Sequence, residues 1–144
     1  LVSAQNRKRL FWTNIKFDLP EHKGIKISDI MDLEVDNKYF ETPKNTVRKN
    51  NKNWQWDTSG KGYNSQQDRA THISQQAKTL PSSRTEDKCK IFYGKNCRKL
   101  TPVECERLQS LPDNYTEGVS NTQRYKALGN GFNVEVISHI LKYL

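Results

Sequence analysis

Apolar residues are spread thinly over the first two thirds of the chain and take up regular spacing only near its end. Leu10-Phe11-Trp12-Thr13-Asn14-Ile15 combines bulky and β-branched side chains and predicts a strand. Ala70-Thr71-His72-Ile73 and Lys90-Ile91-Phe92-Tyr93 predict two more, and Ile27 to Val35 predicts a short helix capped by Ser28 or Asp29. The rest of 16–97 is polar and rich in turn residues: Asn and Lys crowd Lys44 to Asn53, and Gly60 to Ser65 reads as a loop. From residue 98 the pattern becomes helical. Thr101 can cap, Pro102 suits the first helical position, and Glu104 can close a capping box. Val103, Leu108 and Leu111 share a face of that helix, which Pro112 and Asp113 end. A second helix is predicted from Asn121 to Leu128 with a stop at Gly129. A third follows from Asn133, where Val136, Ile137, Ile140, Leu141 and Leu144 mark a buried stripe. The expected class is mixed α/β.

Composition narrows this picture. Leu, Ile, Val and Phe together number only 31 of 144 residues. That is close to the level at which chains stop folding alone, so the chain is expected to lean on a further polypeptide. Lys and Arg number 24 against 16 Asp and Glu, a net charge of +8 that attracts polyanions, nucleic acid first among them. Cys89, Cys97 and Cys105 are an odd set without a CxxC, and His22, His72 and His139 are scattered, so no metal site is expected. A reduced, cytoplasmic protein is the simplest reading of these thiols. No apolar run has membrane length. The opening Leu1-Val2-Ser3-Ala4 reads as the interior of a domain, which favours a fragment.

Three strings carry candidate chemistry. In Gln5-Asn6-Arg7-Lys8-Arg9, an extended backbone puts Arg7 and Arg9 on one face, suited to phosphate or to carbonyl oxygens in a pocket. The plainer reading is a basic strand edge paired with surface carboxylates. The second string runs from Arg98-Lys99-Leu100-Thr101-Pro102 to Pro112-Asp113-Asn114-Tyr115; helix capping accounts for much of it, but not for the whole. The third is Gln123-Arg124-Tyr125-Lys126-Ala127-Leu128-Gly129-Asn130-Gly131-Phe132. Its glycines permit unusual dihedrals and close approach of a ligand, and Asn130 offers donor and acceptor together; the plainer reading is a helix–helix turn.

In this order the strings closely resemble the last blocks of DNA cytosine-5 methyltransferases, with bacterial and phage modification enzymes the nearest in kind. Gln5-x-Arg7-x-Arg9 resembles the QxRxR block, Arg98 through Tyr115 the RKLTPxExxRLQxxPDxY block, and Gly129-Asn130-Gly131-Phe132 the closing GN block. The resemblance implies the C-terminal remnant of a Rossmann-like methyltransferase domain plus an irregular, mostly β target-recognition domain. It divides the chain into the end of the catalytic domain (1–15), the recognition domain (16–97) and a helical closing segment (98–144). It also implies the chemistry. A Cys thiolate adds to carbon 6 of a cytosine turned out of duplex DNA, and S-adenosylmethionine then methylates carbon 5. Arg9 would contact the base O2, and Arg7 would support the catalytic loop or the nearby phosphates. Asn130 and Gly131 would touch the methionine end of the cofactor. Thr79-Leu80 resembles a dipeptide of the recognition domain. Gln66, Gln67, Arg69, Ser82, Ser83 and Arg84 around it are the expected readers of base edges in the major groove, with Thr79 near the flipped nucleotide's backbone. Trp54 and Trp56 are expected to pack rather than stack on bases.

The departures are informative. The family's Gly-rich cofactor turn, Pro-Cys nucleophile and Glu-Asn-Val block are missing, and none of the three cysteines follows a proline. Cys105 is expected to be structural. The chain is therefore expected to be inactive alone, its partners being double-stranded DNA and an N-terminal catalytic half from the same gene or a separate subunit. A catalytically inactive DNA-binding paralogue or the small subunit of a split enzyme would carry the same strings, while an unrelated basic nucleic-acid-binding protein would not.

Overall fold

The computed structural model describes residues 2–41, 48–50, 53–57, 69–81 and 89–144, with side chains described outside 42–69. Strand β1 (Gln5–Asn6) is followed by 3-10 turns at Ile27–Asp29 and Asn37–Tyr39. Then come β2 (Phe40–Glu41), β3 (Arg48–Asn50), β4 (Asn53–Asp57), β5 (Arg69–His72), β6 (Ala77–Lys78), β7 (Lys90–Tyr93) and β8 (Asn96–Lys99). Helices α1 (Pro102–Leu108), α2 (Asn121–Asn130) and α3 (Val134–Leu141) close the chain. The mixed α/β class expected from the sequence is what the molecule shows. None of the described helices is long and apolar enough to cross a membrane.

One sheet has six strands in the order β2-β8-β7-β5-β4-β3. Its pairs are antiparallel except β5 with β7, where Thr71 lies opposite Ile91. β7 and β8 form a two-residue hairpin, Tyr93 opposite Asn96. Gly94 at its first turn position has φ of 55°, which suits the turn types that match strand twist and favours glycine. β1 lies apart from this sheet and pairs in parallel with β6, Gln5 opposite Ala77. That small ladder ties the start of the chain to its middle.

The main core gathers Ala4, Ile27, Ala77, Leu80, Ile91, Leu100, Cys105, Leu108 and Leu128, so residues from 1–15, 16–97 and 98–144 share one apolar interior. Successive residues of β7 face opposite ways: Ile91 enters this core, and Phe92 packs with Ala70 and Cys97 in a smaller one. α1 begins as its sequence dictates. Thr101 Oγ1 accepts from the Glu104 N–H at 3.1 Å, and the Glu104 carboxylate accepts from the Thr101 N–H at 2.7 Å.

Several expectations fail, each for a physical reason. The strand expected over 10–15 does not form. Leu10 and Trp12 are 77% and 88% exposed, and those described residues have no neighbouring strand to complete a ladder. The helix expected over 27–35 is a single 3-10 turn at Ile27–Asp29, because the Asp32 N–H goes to the Glu104 carboxylate and not back to the Ser28 carbonyl. Arg48–Asn50 and Asn53–Asp57, in a stretch read as polar and turn-rich, pair antiparallel as β3 and β4, where pairing of β4 with β5 overrides weak local propensity. α2 passes through Gly129 and is capped at Gly131. Of the stripe expected on α3 only Ile140 is buried; Leu141 and Leu144 are 52% and 86% exposed.

Candidate functional site

The site is built around the C-terminal end of α2. A helix ends with carbonyls that lack intrahelical donors and carry the negative end of its dipole. Here each is met. The Gly131 N–H donates to Ala127 O at 2.8 Å. Gln109, buried at the end of α1, donates through Nε2 to Leu128 O at 2.7 Å. Arg7 donates through a single nitrogen, Nη2, to Gly129 O at 3.1 Å and to Gly131 O at 2.7 Å. A guanidinium more than 120 residues away in sequence thus clasps the carbonyls of the residues on either side of Asn130.

The far side of the turn is fastened by Asn133. Its Nδ2 donates to Leu108 O and to Ser110 Oγ, both at 3.1 Å, while its Oδ1 accepts from the Val136 N–H and caps α3. The Val134 N–H donates to Gln109 O at 3.0 Å. Asn130 itself is exposed at the tip. Gly131 has φ of −65°, so its requirement is not an unusual dihedral. A Cβ there would lie 3.3 Å from Ala127 O, so close packing is the constraint. The expectation that Gly129 and Gly131 supply unusual dihedrals is accordingly corrected: neither has positive φ.

Arg7 and Arg9 differ in setting. Arg7 is half-buried, and burial followed by the neighbouring Arg9 charge pulls its pKa below the ordinary value; arginine stays cationic all the same. Its second nitrogen, Nη1, is buried without a hydrogen-bond partner among the described residues. Arg9 is exposed, with Nη1 donating to Lys8 O at 2.8 Å. Phe11 meets Phe132 with ring centroids 6.3 Å apart. Contacts at Arg7 and Phe11 therefore run this segment alongside 129–132, with Arg9 between them in sequence. Thr79 is joined to it too, since Thr79 Oγ1 donates to Asn6 O at 2.9 Å. Gln66, Gln67, Ser82, Ser83 and Arg84, with the side chains of Arg69, Trp54 and Trp56, lie outside the described residues.

The second string turns out to be the frame of the site. Arg98 and Glu104, both wholly buried, form a bidentate pair at 2.8 and 2.6 Å. Glu104 also accepts from the Asp32 N–H at 2.9 Å, and Arg98 donates to Asp32 O at 3.1 Å. Glu106 accepts from the Thr116 hydroxyl and N–H and from Arg124 Nη2. Arg107 bridges Asp113 and Asp32. These networks, with Gln109 and Asn133, escape sequence reasoning because their partners are distant. Only the Thr101–Glu104 spacing gives a local signal.

The cysteines are poorly suited to nucleophilic work. Burial pushes the Cys89 thiol to about 12 and that of Cys97 to about 11, Glu41 adding to the latter. Cys105, wholly buried, is raised well above the ordinary thiol range, first by desolvation. No cluster of metal-ligating side chains occurs among the described residues.

Known proteins give the wider setting. The sequence profile of C-5 cytosine-specific DNA methylases matches residues 3–144. The type II methyltransferase M.DsaV of Dactylococcopsis salina is 29% identical over 149 aligned residues, covering 94% of this chain and 42% of that protein. M.NlaX of Neisseria lactamica is likewise 29% identical, with 97% and 47% covered. The orphan methyltransferase M.SPRI of Bacillus phage SPR is 44% identical over 52 residues, 33% of this chain and 12% of its own. The fold of the Entamoeba histolytica methyltransferase EhMeth superposes with a TM-score of 0.60 at 20% identity, over 94% of this chain and 45% of that one. The chain spans less than half the length of M.DsaV and M.NlaX. With the profile matched along nearly all its length, this chain belongs to the C-5 cytosine-specific DNA methylase family.

Proposed function

We propose that this chain is the DNA-reading and base-holding portion of a DNA cytosine-5 methyltransferase, acting in the cytoplasm with a catalytic portion carried on other polypeptide sequence. The observation that carries the reading is the Arg7 clasp on Gly129 and Gly131, which joins the QxRxR and GN strings at one place. On this reading, segment 1–15 closes the catalytic domain, 16–97 reads the duplex and 98–144 packs back. Three raised thiols, none after proline, support supply of the nucleophile from elsewhere. The exposed apolar side chains of Phe132, Val134 and Leu141, 40 to 62% exposed, offer a surface for that portion to cover. We assign that surface to the catalytic portion.

The residues at the turn fit one end of S-adenosylmethionine. Asn130 offers an exposed amide suited to an amino-acid moiety, and Gly131 keeps the backbone clear of a Cβ. When bound, that cofactor supplies an electrophilic methyl group. The chain's own residues bind and orient. Arg9 presents a cation where the everted cytosine gains negative charge at O2, a contact typically worth a few kcal/mol in the transition state. Thr79, tied to Asn6 O, steadies the approach of the recognition segment. Gln66, Gln67, Arg69, Ser82, Ser83 and Arg84 offer donors and acceptors to base edges.

The test is to combine the chain with a catalytic portion carrying the Pro-Cys block and follow labelled methyl transfer to cytosine in duplex DNA. Incorporation is expected from the mixture and from neither part alone, and Arg9→Ala should lower turnover more than DNA affinity. No incorporation by the mixture refutes the reading. The chain by itself should bind DNA with steep salt dependence, given its charge of +8.

A further inference from the structure

We infer that Arg7 is a positioning residue for the cofactor end of the site rather than a group that meets DNA, resting on the function proposed above. Its Nη2 donates to the Gly129 carbonyl, in the peptide that precedes Asn130, and to the Gly131 carbonyl one peptide beyond it, while the Gly131 N–H, in the peptide that follows Asn130, is held by Ala127 O. With those peptide planes fixed, the backbone dihedrals of Asn130 are set, and with them the direction in which its exposed side chain leaves the backbone. The charge matters as well as the geometry. α2 is ten residues long, and its terminal carbonyls present partial negative charge that a cation stabilises. Gln109 holds the preceding carbonyl, that of Leu128, so the last turn of α2 is gripped from two separate strings.

This arrangement divides the work of the two arginines. The Arg7 guanidinium is half-buried and engaged with backbone. Arg9 remains exposed and able to meet the nucleotide. The segment between them carries the consequence: a shift of β1 on its partner β6 would move the Arg7 clasp and the Thr79 contact together. Recognition and cofactor placement are thereby joined through residues 5–9.

The test uses the active assembly of this chain with its catalytic portion, and the probe is S-adenosylhomocysteine binding by calorimetry without DNA. Arg7→Ala should weaken that binding roughly ten- to hundredfold, the scale of a lost hydrogen bond to a charged group. Affinity for duplex DNA should stay within about twofold, since no phosphate contact is removed. Arg7→Lys should recover part of the loss, as an ammonium can hold one carbonyl but lacks the planar fork. Arg9→Ala should leave cofactor-product binding unchanged. Amide hydrogen exchange should show faster exchange at 129–132 in Arg7→Ala, with β7 and β8 as protected as before. If Arg7→Ala and Arg7→Lys bind S-adenosylhomocysteine like the unmodified assembly, or if they weaken DNA instead, the inference is overturned while the proposed function stands. If the unmodified assembly fails to bind it, the proposed function falls and takes this assignment with it.

Discussion

Replacing Arg98 by methionine removes one half of a fully buried ion pair and leaves the other in place. Arg98 sits in the frame of the site and not at its surface, with both side chains of the pair at 0% exposure. Burial pulls its pKa down, but the hydrogen bonds and charge of Glu104 outweigh that and raise it above the ordinary value. Orphaning a buried charge costs about 3–5 kcal/mol. Glu104 keeps the N–H groups of Thr101 and Asp32, which argues for the lower end, about 3 kcal/mol. Against a typical stability of about 5–15 kcal/mol that is a large share, and it corresponds to a fall of about 10 °C in Tm for a domain of this size. Urea unfolding followed by far-ultraviolet circular dichroism measures it. A double-mutant cycle with Glu104→Gln isolates the cause. Glutamine keeps an acceptor for the Asp32 N–H and removes the charge, so Arg98→Met/Glu104→Gln should be less destabilised than the two single changes summed, by more than about 1 kcal/mol. Additive losses, or an Arg98→Met within about 1 kcal/mol of the parent, would refute the reasoning.

Two further outcomes follow from the same networks. Burial pushes Glu106 up, but the Thr116 hydroxyl, Arg124 and the Thr116 N–H together bring it below its ordinary 4.5. A depressed folded-state pKa contributes stability that is present above 4.5 and lost as pH falls through that value and then through the folded one. Urea midpoints should therefore drop between about pH 6 and pH 3, and Arg124→Gln should flatten the drop; an unchanged slope would remove Glu106 from the account. The cysteines should resist alkylation in the folded chain at about pH 8, because thiolate is the reactive form, and should all react after denaturation. Rapid labelling of Cys105 in the folded protein would contradict its burial.

Much of the helical part was legible because its rules are local. Thr101, Pro102 and Glu104 act within one turn, and α1 opens with the box that their spacing dictates. β7 was legible as well, since its alternation matches two faces that are both covered. Leu10-Phe11-Trp12 shows the opposite case. Its composition favours a strand, yet a strand needs a neighbour, and among the described residues that stretch has none. The α3 stripe fails similarly: Leu141 and Leu144 have the right spacing, but spacing does not say whether a covering surface lies within the same chain.

The sequence by itself determined the family, through three strings in fixed order, and the caps and stops that short-range hydrogen bonding sets. It also gave the positive charge and the shortage of apolar residues, because composition needs no fold to be read. Tertiary structure alone decided which atoms Arg7 meets, which carboxylate Arg98 answers, and how Gln109 and Asn133 hold the turn around Asn130. Those contacts join residues from six to more than a hundred positions apart. A one-dimensional pattern fixes which groups can bond, and chain topology selects which of them do.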